Sequence, residues 1–568
     1  MSSCGFPERP ARRTFREVAR TQATVVTVLQ PGDAYDVRKA QDFFGPPVVS
    51  GTRVRHLRGA ARAMSHVRVG WPLLPWLAVA AACGARETQG PPLPPGSRVG
   101  YYVTTNGTPG GDGSSANPWD LQTALAGGGG SVQPGDTIWL RAGRYAGAFT
   151  SALVGTSGAP IIVRQYPGER ARIDGVGETR STLTIDGAYT WFWGFELYNS
   201  SSDRTSQAAR PDVVYVRNGS NIKLVHLVVH DGGIAIYTEP TAVSPEIYGC
   251  LLYNNGWQTA TRGSGHAVYV KTDATPRLVR DNVIFNQFGF GVHAYSDLGS
   301  GGLHNIRVVG NVSFNNGAIA AAGTNTSNAN ILVGGQEPVD SALLTDNMTY
   351  RNPSSPQVNV RVGYPAVPGG SVTVRKNYFV GGTPIVSFES WGTAAVDSNT
   401  MAGGATTVFL TDTSLGGYAW GANQYLRDST AAAWRYQGTL YTLPDWRTAT
   451  GLGATDQATS TLPSQPQVFL RPSVYEPGRA TIVVYNWPGQ SAVSVNVSGV
   501  LSAGDVYEVR NAQAWFAPTP VLSGTYGGGS LTLPLAGVAP PAPIGGSPTT
   551  PPTTGPAFQV FVLSRLPT

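Results

Sequence analysis

The sequence predicts an all-β chain built on a right-handed parallel β-helix, and three observations carry that expectation. Glycine is abundant at 71 of 568 residues, only 13% of residues are charged, and Trp and Tyr number 13 and 24. That composition suits short strands joined by tight turns. Short apolar strands then recur with Asn-rich turns between about 180 and 410: GFELYNS, HLVVHDGG, GCLLYNNG, DNVIFNQFG, GNVSFNNG, DNMTYRN and KNYFVGG. Aligned, they place Phe195, Leu227, Cys250, Asn282, Asn311, Asn347 and Asn377 at one site per coil, 23 to 36 residues apart. One coil cannot bury its own apolar face, but a stack spaced at about 4.8 Å shares one core. Asparagines stacked at a turn hydrogen-bond along the stack, so these residues read as structural, and Cys250 as a buried thiol in the same column.

Taken in order, residues 1–63 read as a leader outside the working protein. They hold 11 Lys+Arg against 5 Asp+Glu, which is the whole of the +6 net charge; from Met64 onward there are 29 of each. The basic balance is therefore no sign of a nucleic-acid groove. Residues 64–83, MSHVRVGWPLLPWLAVAAAC, read as a secretory signal. Their ending resembles a bacterial lipoprotein cleavage box, which implies lipidation of Cys83 and an exported protein at the cell surface or periplasm, with ordinary secretion as the alternative. Contact with a membrane is expected only through that anchor. Residues 84–98 are a Pro/Gly-rich tether, 99–460 the β-helix with its caps, and 461–568 a C-terminal antiparallel β-sandwich. Cys4, Cys83 and Cys250 are the only cysteines, which leaves no structural disulfide or cysteine zinc site.

The opening YYVTTNGTPGGDGSSANPWDLQTAL, then VQPGDTIWLRAGRYAG and APIIVRQYPGERARIDG, resembles the start of pectate-lyase-like β-helix proteins over about 75 residues. The resemblance implies a capping helix near Leu121–Leu125 and the fold; the same opening recurs across lyases, hydrolases and proteins of other activity. A second short helix starting near Pro444 is similar to the C-terminal cap of carbohydrate-active β-helices.

A second strand per coil supplies the candidate site. In VVYVRN, IYTEP, HAVYVKT and GVHAYSD the alternation turns Val214, Val216, Ile236, Thr238, Val268, Val270, Val292 and Ala294 inward. One outward column then holds Tyr215, Tyr237, Tyr269 and His293, and a second Arg217, Glu239, Lys271 and Tyr295, with Arg361 continuing the second. His266 precedes the Tyr269 strand on the same side. Aromatic rings cover the apolar faces of pyranoses and charged forks bind hydroxyls or carboxylates, so the expected partner of this monomer is a polysaccharide, with an anionic one in view. Lys271 is one of only four lysines, and every histidine after the signal lies between His226 and His304.

Three functions stay open: a lyase cleaving a uronic-acid glycan by β-elimination, a glycoside hydrolase, and non-catalytic glycan binding. The lyase needs a neutralised C5 carboxylate, a base and an acid, for which Lys271, His293, Tyr269 and His266 are the candidates, with a nearby Arg277 or Arg280 to lower the Lys271 pKa and Arg280 among the substrate contacts. Glu239, Asp273 and Asp297 are candidates for a Ca²⁺ site. A hydrolase would use Glu239 with Asp273 or Asp297. Lys271 is otherwise expected to pair with Glu239 on the neighbouring coil.

Overall fold

The computed structural model describes residues 100–321, 328–365 and 367–567. The leader, the signal run with Cys83, and the tether lie outside these residues. Every coil contributes one strand to each of three 12-stranded sheets. The first sheet starts at Gly100–Val103, the second at Gly143–Ala146 and the third at Phe149–Ser151. Pairing is parallel from coil to coil, and only the last strand of the third sheet, Thr439–Tyr441, returns antiparallel. The helix Leu121–Leu125 closes the first end, capped by the Asp120 carboxylate on the Thr123 N–H. The helix Leu443–Thr450 lies at the other end, with Thr442 as its cap and Pro444 in its first turn. Among the described residues no helix is long and apolar enough to cross a membrane.

A single left-handed residue makes the elbow between first and second sheets at coil after coil: His226, Gly249, Asp281, Gly310, Asp346, Lys376, Ser398 and Ala422 all have positive φ. Each is followed by the predicted column, which the structure extends. Asn282 donates its side-chain amide to Asn311 Oδ1, Asn311 to Asn347, Asn347 to Asn377, Asn377 to Asn399, Asn399 to Asn423, and Asn423 to Asp456. Every amide oxygen in this run also accepts the backbone N–H of the coil before it, beginning with Cys250 N–H to Asn282. The buried elbow is thereby satisfied without water. Asn255, Gln287, Asn316, Asn330 and Asn359 form a second such ladder after the second sheet.

Inward residues of all three sheets form one continuous core. The C-terminal domain is an antiparallel sheet of Gln467–Pro472, Arg479–Tyr485, Val506–Asn511, Leu522–Thr525 and Phe558–Arg565, faced by the pair Ala492–Asn496 and Ser530–Pro534. It lies on the outward side of the second sheet: Val228, Leu251, Phe285, Phe314 and Met348 pack with Val483, Tyr485, Phe558 and Val560. Tyr475 extends the cover onto Trp191, Trp193 and Tyr248 of the first sheet. The Pro-rich stretch before the last strand also docks, through Ile544, whose N–H donates to Asp231 and whose carbonyl accepts from Arg204. The third sheet keeps its half-exposed tyrosines on the outside, and there the candidate residues stand.

Candidate functional site

Parallel pairing fixes the first outward column. Tyr215 lies beside Tyr237, Tyr237 beside Tyr269, Tyr269 beside His293, His293 beside Leu332, and Leu332 beside Arg361. The rings stack at 5.2–5.3 Å between centroids along Tyr215, Tyr237, Tyr269 and His293. This is the spacing that adjacent strands impose, so the ladder follows from repeating an aromatic at one strand position. Arg361 therefore continues the tyrosine column and not the second one. Tyr295 does stand beside the Lys271 position, but it is buried with Phe290, Ala329, Leu332 and Val358, leaving it no free face.

At the His293 rung four predicted residues gather. The His266 and His293 rings are 4.3 Å apart, Phe290 stacks on His293 at 4.3 Å, and Lys271 Nζ sits 5.4 Å from the Tyr269 ring. Asp297 joins them, its Oδ2 accepting from Lys271 Nζ at 2.8 Å and from the Tyr269 hydroxyl at 3.0 Å. His266 Nδ1 accepts the Phe290 N–H at 3.3 Å, which puts the proton of its neutral ring on Nε2. His293 Nδ1 is buried without a hydrogen-bond partner. Burial pushes His266 down to about 3 and His293 well below its usual value, the latter helped by the neighbouring His266. Both imidazoles are neutral. Burial raises Tyr269, and the Asp297 carboxylate adds to that, so its phenol keeps its proton.

Two coils earlier a second group stands half-exposed. The Tyr215 hydroxyl donates to Glu239 Oε1 at 2.8 Å, so Glu239 is engaged by tyrosine and Lys271 pairs with Asp297, correcting the expected Lys271–Glu239 pair. Asp212, which the sequence reading passed over, accepts the Ile234 N–H at 3.1 Å. Burial pushes its carboxyl up to about 6, with Glu239 adding to the rise. Two residues ahead of the VYV strand in PDVVYV, it lies outside the alternation that selected the outward columns. Arg217 forms a forked pair with Asp186, and Arg361 faces Glu389 at 3.6 Å.

Other expectations do not assemble. Arg280 lies on the first sheet, bound to Asp281 and over the Tyr248 ring beneath the C-terminal domain, away from the tyrosines. Arg277 does approach Lys271, but through the Lys271 carbonyl, which accepts its Nε at 3.1 Å. Asp273 is used in its own turn, accepting from the Thr275 N–H and hydroxyl. Glu239, Asp273 and Asp297 thus serve three different partners, and among the described residues no group of three His, Cys, Asp or Glu gathers to hold a metal ion.

Residues 101–355 match the family model described as Pel9A-like, right handed beta helix region. No curated protein matches the sequence. Solved structures similar to it include pectate lyase Pel9A, at 15% identity and TM-score 0.39, covering 64% of this chain and 79% of that one. The GH136 lacto-N-biosidase from Eubacterium ramulus is 15% identical with TM-score 0.41, covering 63% and 67%. An alginate lyase from Paenibacillus sp. str. FPU-7 is 14% identical with TM-score 0.35, covering 60% and 98%. The family match and the three parallel sheets together show that residues 101–355 form a right-handed parallel β-helix.

Proposed function

We propose that the outer face of the third sheet binds a polysaccharide and cleaves a uronic-acid unit of it by β-elimination, in an exported protein held by a lipid at Cys83. The supporting observation is that two adjacent rungs of the aromatic ladder bring His266 and His293 against Tyr269, while Tyr269 and Lys271 share Asp297. In this reading the substrate carboxylate displaces Asp297 from Lys271, whose ammonium then offsets the charge that builds on the C5 carbanion. A neutral His293 takes the C5 proton, and the nearby uronate raises the basicity that burial has lowered. The Tyr269 phenol gives its proton to O4 as the C4–O4 bond breaks, leaving a C4–C5 double bond. His266 packs the His293 ring in place, and Tyr215 and Tyr237 hold sugars further along the groove.

The test is incubation of the whole protein with uronate polysaccharides, following ultraviolet absorbance of the unsaturated product. Absorbance that grows with wild type and is lost in Lys271→Ala and His293→Ala supports the reading; no absorbance from any uronate glycan overturns it.

A further inference from the structure

The carboxylate that occupies Lys271 is held more loosely than the other acid partners on this face. We propose that Asp297 is a built-in stand-in for the substrate carboxylate, so that the groove selects a free uronate over its ester. This deepens the function proposed above, from which it takes Lys271 as the group that meets the substrate carboxylate.

A single oxygen, Asp297 Oδ2, accepts from Lys271 Nζ at 2.8 Å and from the Tyr269 hydroxyl at 3.0 Å. One carboxylate thus engages both the cation and the acid that the reaction needs. Among the described residues Arg217, Lys271 and Arg361 each face an acid on this sheet, and the acids differ in how firmly they are held. The Asp186 side chain is 23% exposed and that of Glu389 5%, whereas that of Asp297 is 41% exposed. Asp186 also accepts from Asn218 and Glu389 from the Ser387 hydroxyl, while the Asp297 carboxylate has no third donor among the described residues. Asp297 follows the strand Val292–Ser296 directly, and the turn it opens is fixed by other groups. Its carbonyl accepts the Ser300 N–H at 3.0 Å, and the Gly299 N–H donates to Glu337 at 2.7 Å. The carboxylate can therefore swing into solvent while the turn stays in place.

An ion pair with one member this open contributes little, so the exchange needs only a partner of equal charge. A free uronate supplies it. Its carboxylate takes the Lys271 ammonium, Asp297 turns into water, and the Tyr269 hydroxyl is released to face O4 in the same event. A methyl ester offers Nζ only a neutral carbonyl, a bond about half as strong as the charge-assisted one it would replace. Asp297 then stays where it is, and both groups remain occupied. The selection comes from an acid already seated in the site, and it acts before any bond of the substrate breaks.

Calorimetry of the whole protein in a His293→Ala background, where no turnover is expected, compares oligogalacturonate and oligoalginate with their methyl esters. The acid should bind about tenfold more tightly than the ester. Asp297→Asn keeps the size of the side chain and should bind the acid about tenfold more tightly still, because the competitor for Lys271 is weakened. Adding Lys271→Ala should erase that gain, which separates competition at Nζ from a general loss of negative charge. Melting is followed in each variant, since a purely structural Asp297 would lower it and leave affinity where it was. An Asp297→Asn affinity no higher than its parent's, or a gain that persists without Lys271, would overturn the inference and leave the glycan groove standing. No binding of either acid by wild type would overturn the groove and this inference together. Failure of β-elimination is read separately, as absent absorbance with uronate substrates.

Discussion

Replacing Asn311 by leucine removes one rung from the buried ladder, and its cost can be worked from the bonds. Asn311 is fully buried; its Oδ1 accepts from the Asn282 N–H at 3.1 Å and the Asn282 amide at 2.9 Å, and its Nδ2 donates to Val279 O at 2.8 Å. Leucine leaves two Asn282 donors without acceptors, at about 1–3 kcal/mol each. Burying the larger apolar side chain returns about 1–2 kcal/mol. The expected net loss is about 2.5 kcal/mol at the centre of these ranges, read by chemical denaturation as a lower midpoint with an unchanged slope. A loss under about 0.5 kcal/mol would refute the claim that the ladder satisfies the elbow backbone.

Three further outcomes are expected. Lys271→Ala and His293→Ala should abolish turnover of a uronate glycan while leaving glycan affinity within about tenfold, measured by calorimetry, since the tyrosine contacts remain. His230 lies between Glu196 and Asp231, and although burial alone would lower it, those carboxylates raise it to about 9. A base raised above its unfolded value of about 6.5 contributes fully below that pH and loses the contribution as pH rises through 9, so wild type should weaken between pH 7 and 10 by more than His230→Gln does. Phe558 is fully buried, stacked on Tyr350 at 4.8 Å; Phe558→Ala should cost about 3–5 kcal/mol and admit protease at the C-terminal domain, and an unchanged digestion pattern would count against that docking.

The coil repeat was legible because Asn282, Asn311, Asn347 and Asn377 each follow a left-handed elbow and precede a short apolar strand. Its continuation through Asn399 and Asn423 was harder to see, since the strands there, TMA and QYL, hold a single β-branched residue between them. The second ladder is harder to read because Asn330 stands only 14 residues after Asn316, where the other rungs are 29 or 32 apart. The covered face carried an unused signal: VVH, LLY and VIF are apolar at successive positions, as strands buried on both sides must be. The tyrosine column was readable from period-two alternation alone. What alternation could not supply was depth and partner choice: Tyr295 points outward yet is roofed by Phe290 and Tyr364, and Lys271 reaches Asp297 through the third dimension of the stack. Asp212 stood before its strand, where alternation assigns no side.

The central claim is that the aromatic ladder on the third sheet is the glycan-binding surface. Calorimetry of the whole protein against a panel of uronate and neutral polysaccharides tests it most directly, comparing wild type with the Tyr215→Ala, Tyr237→Ala double variant. The account predicts binding by wild type and a loss of tenfold or more in the double variant, with melting retained, as two stacking contacts of about 1 kcal/mol each imply. Equal affinity in the two proteins, or binding by neither to any glycan, would contradict it.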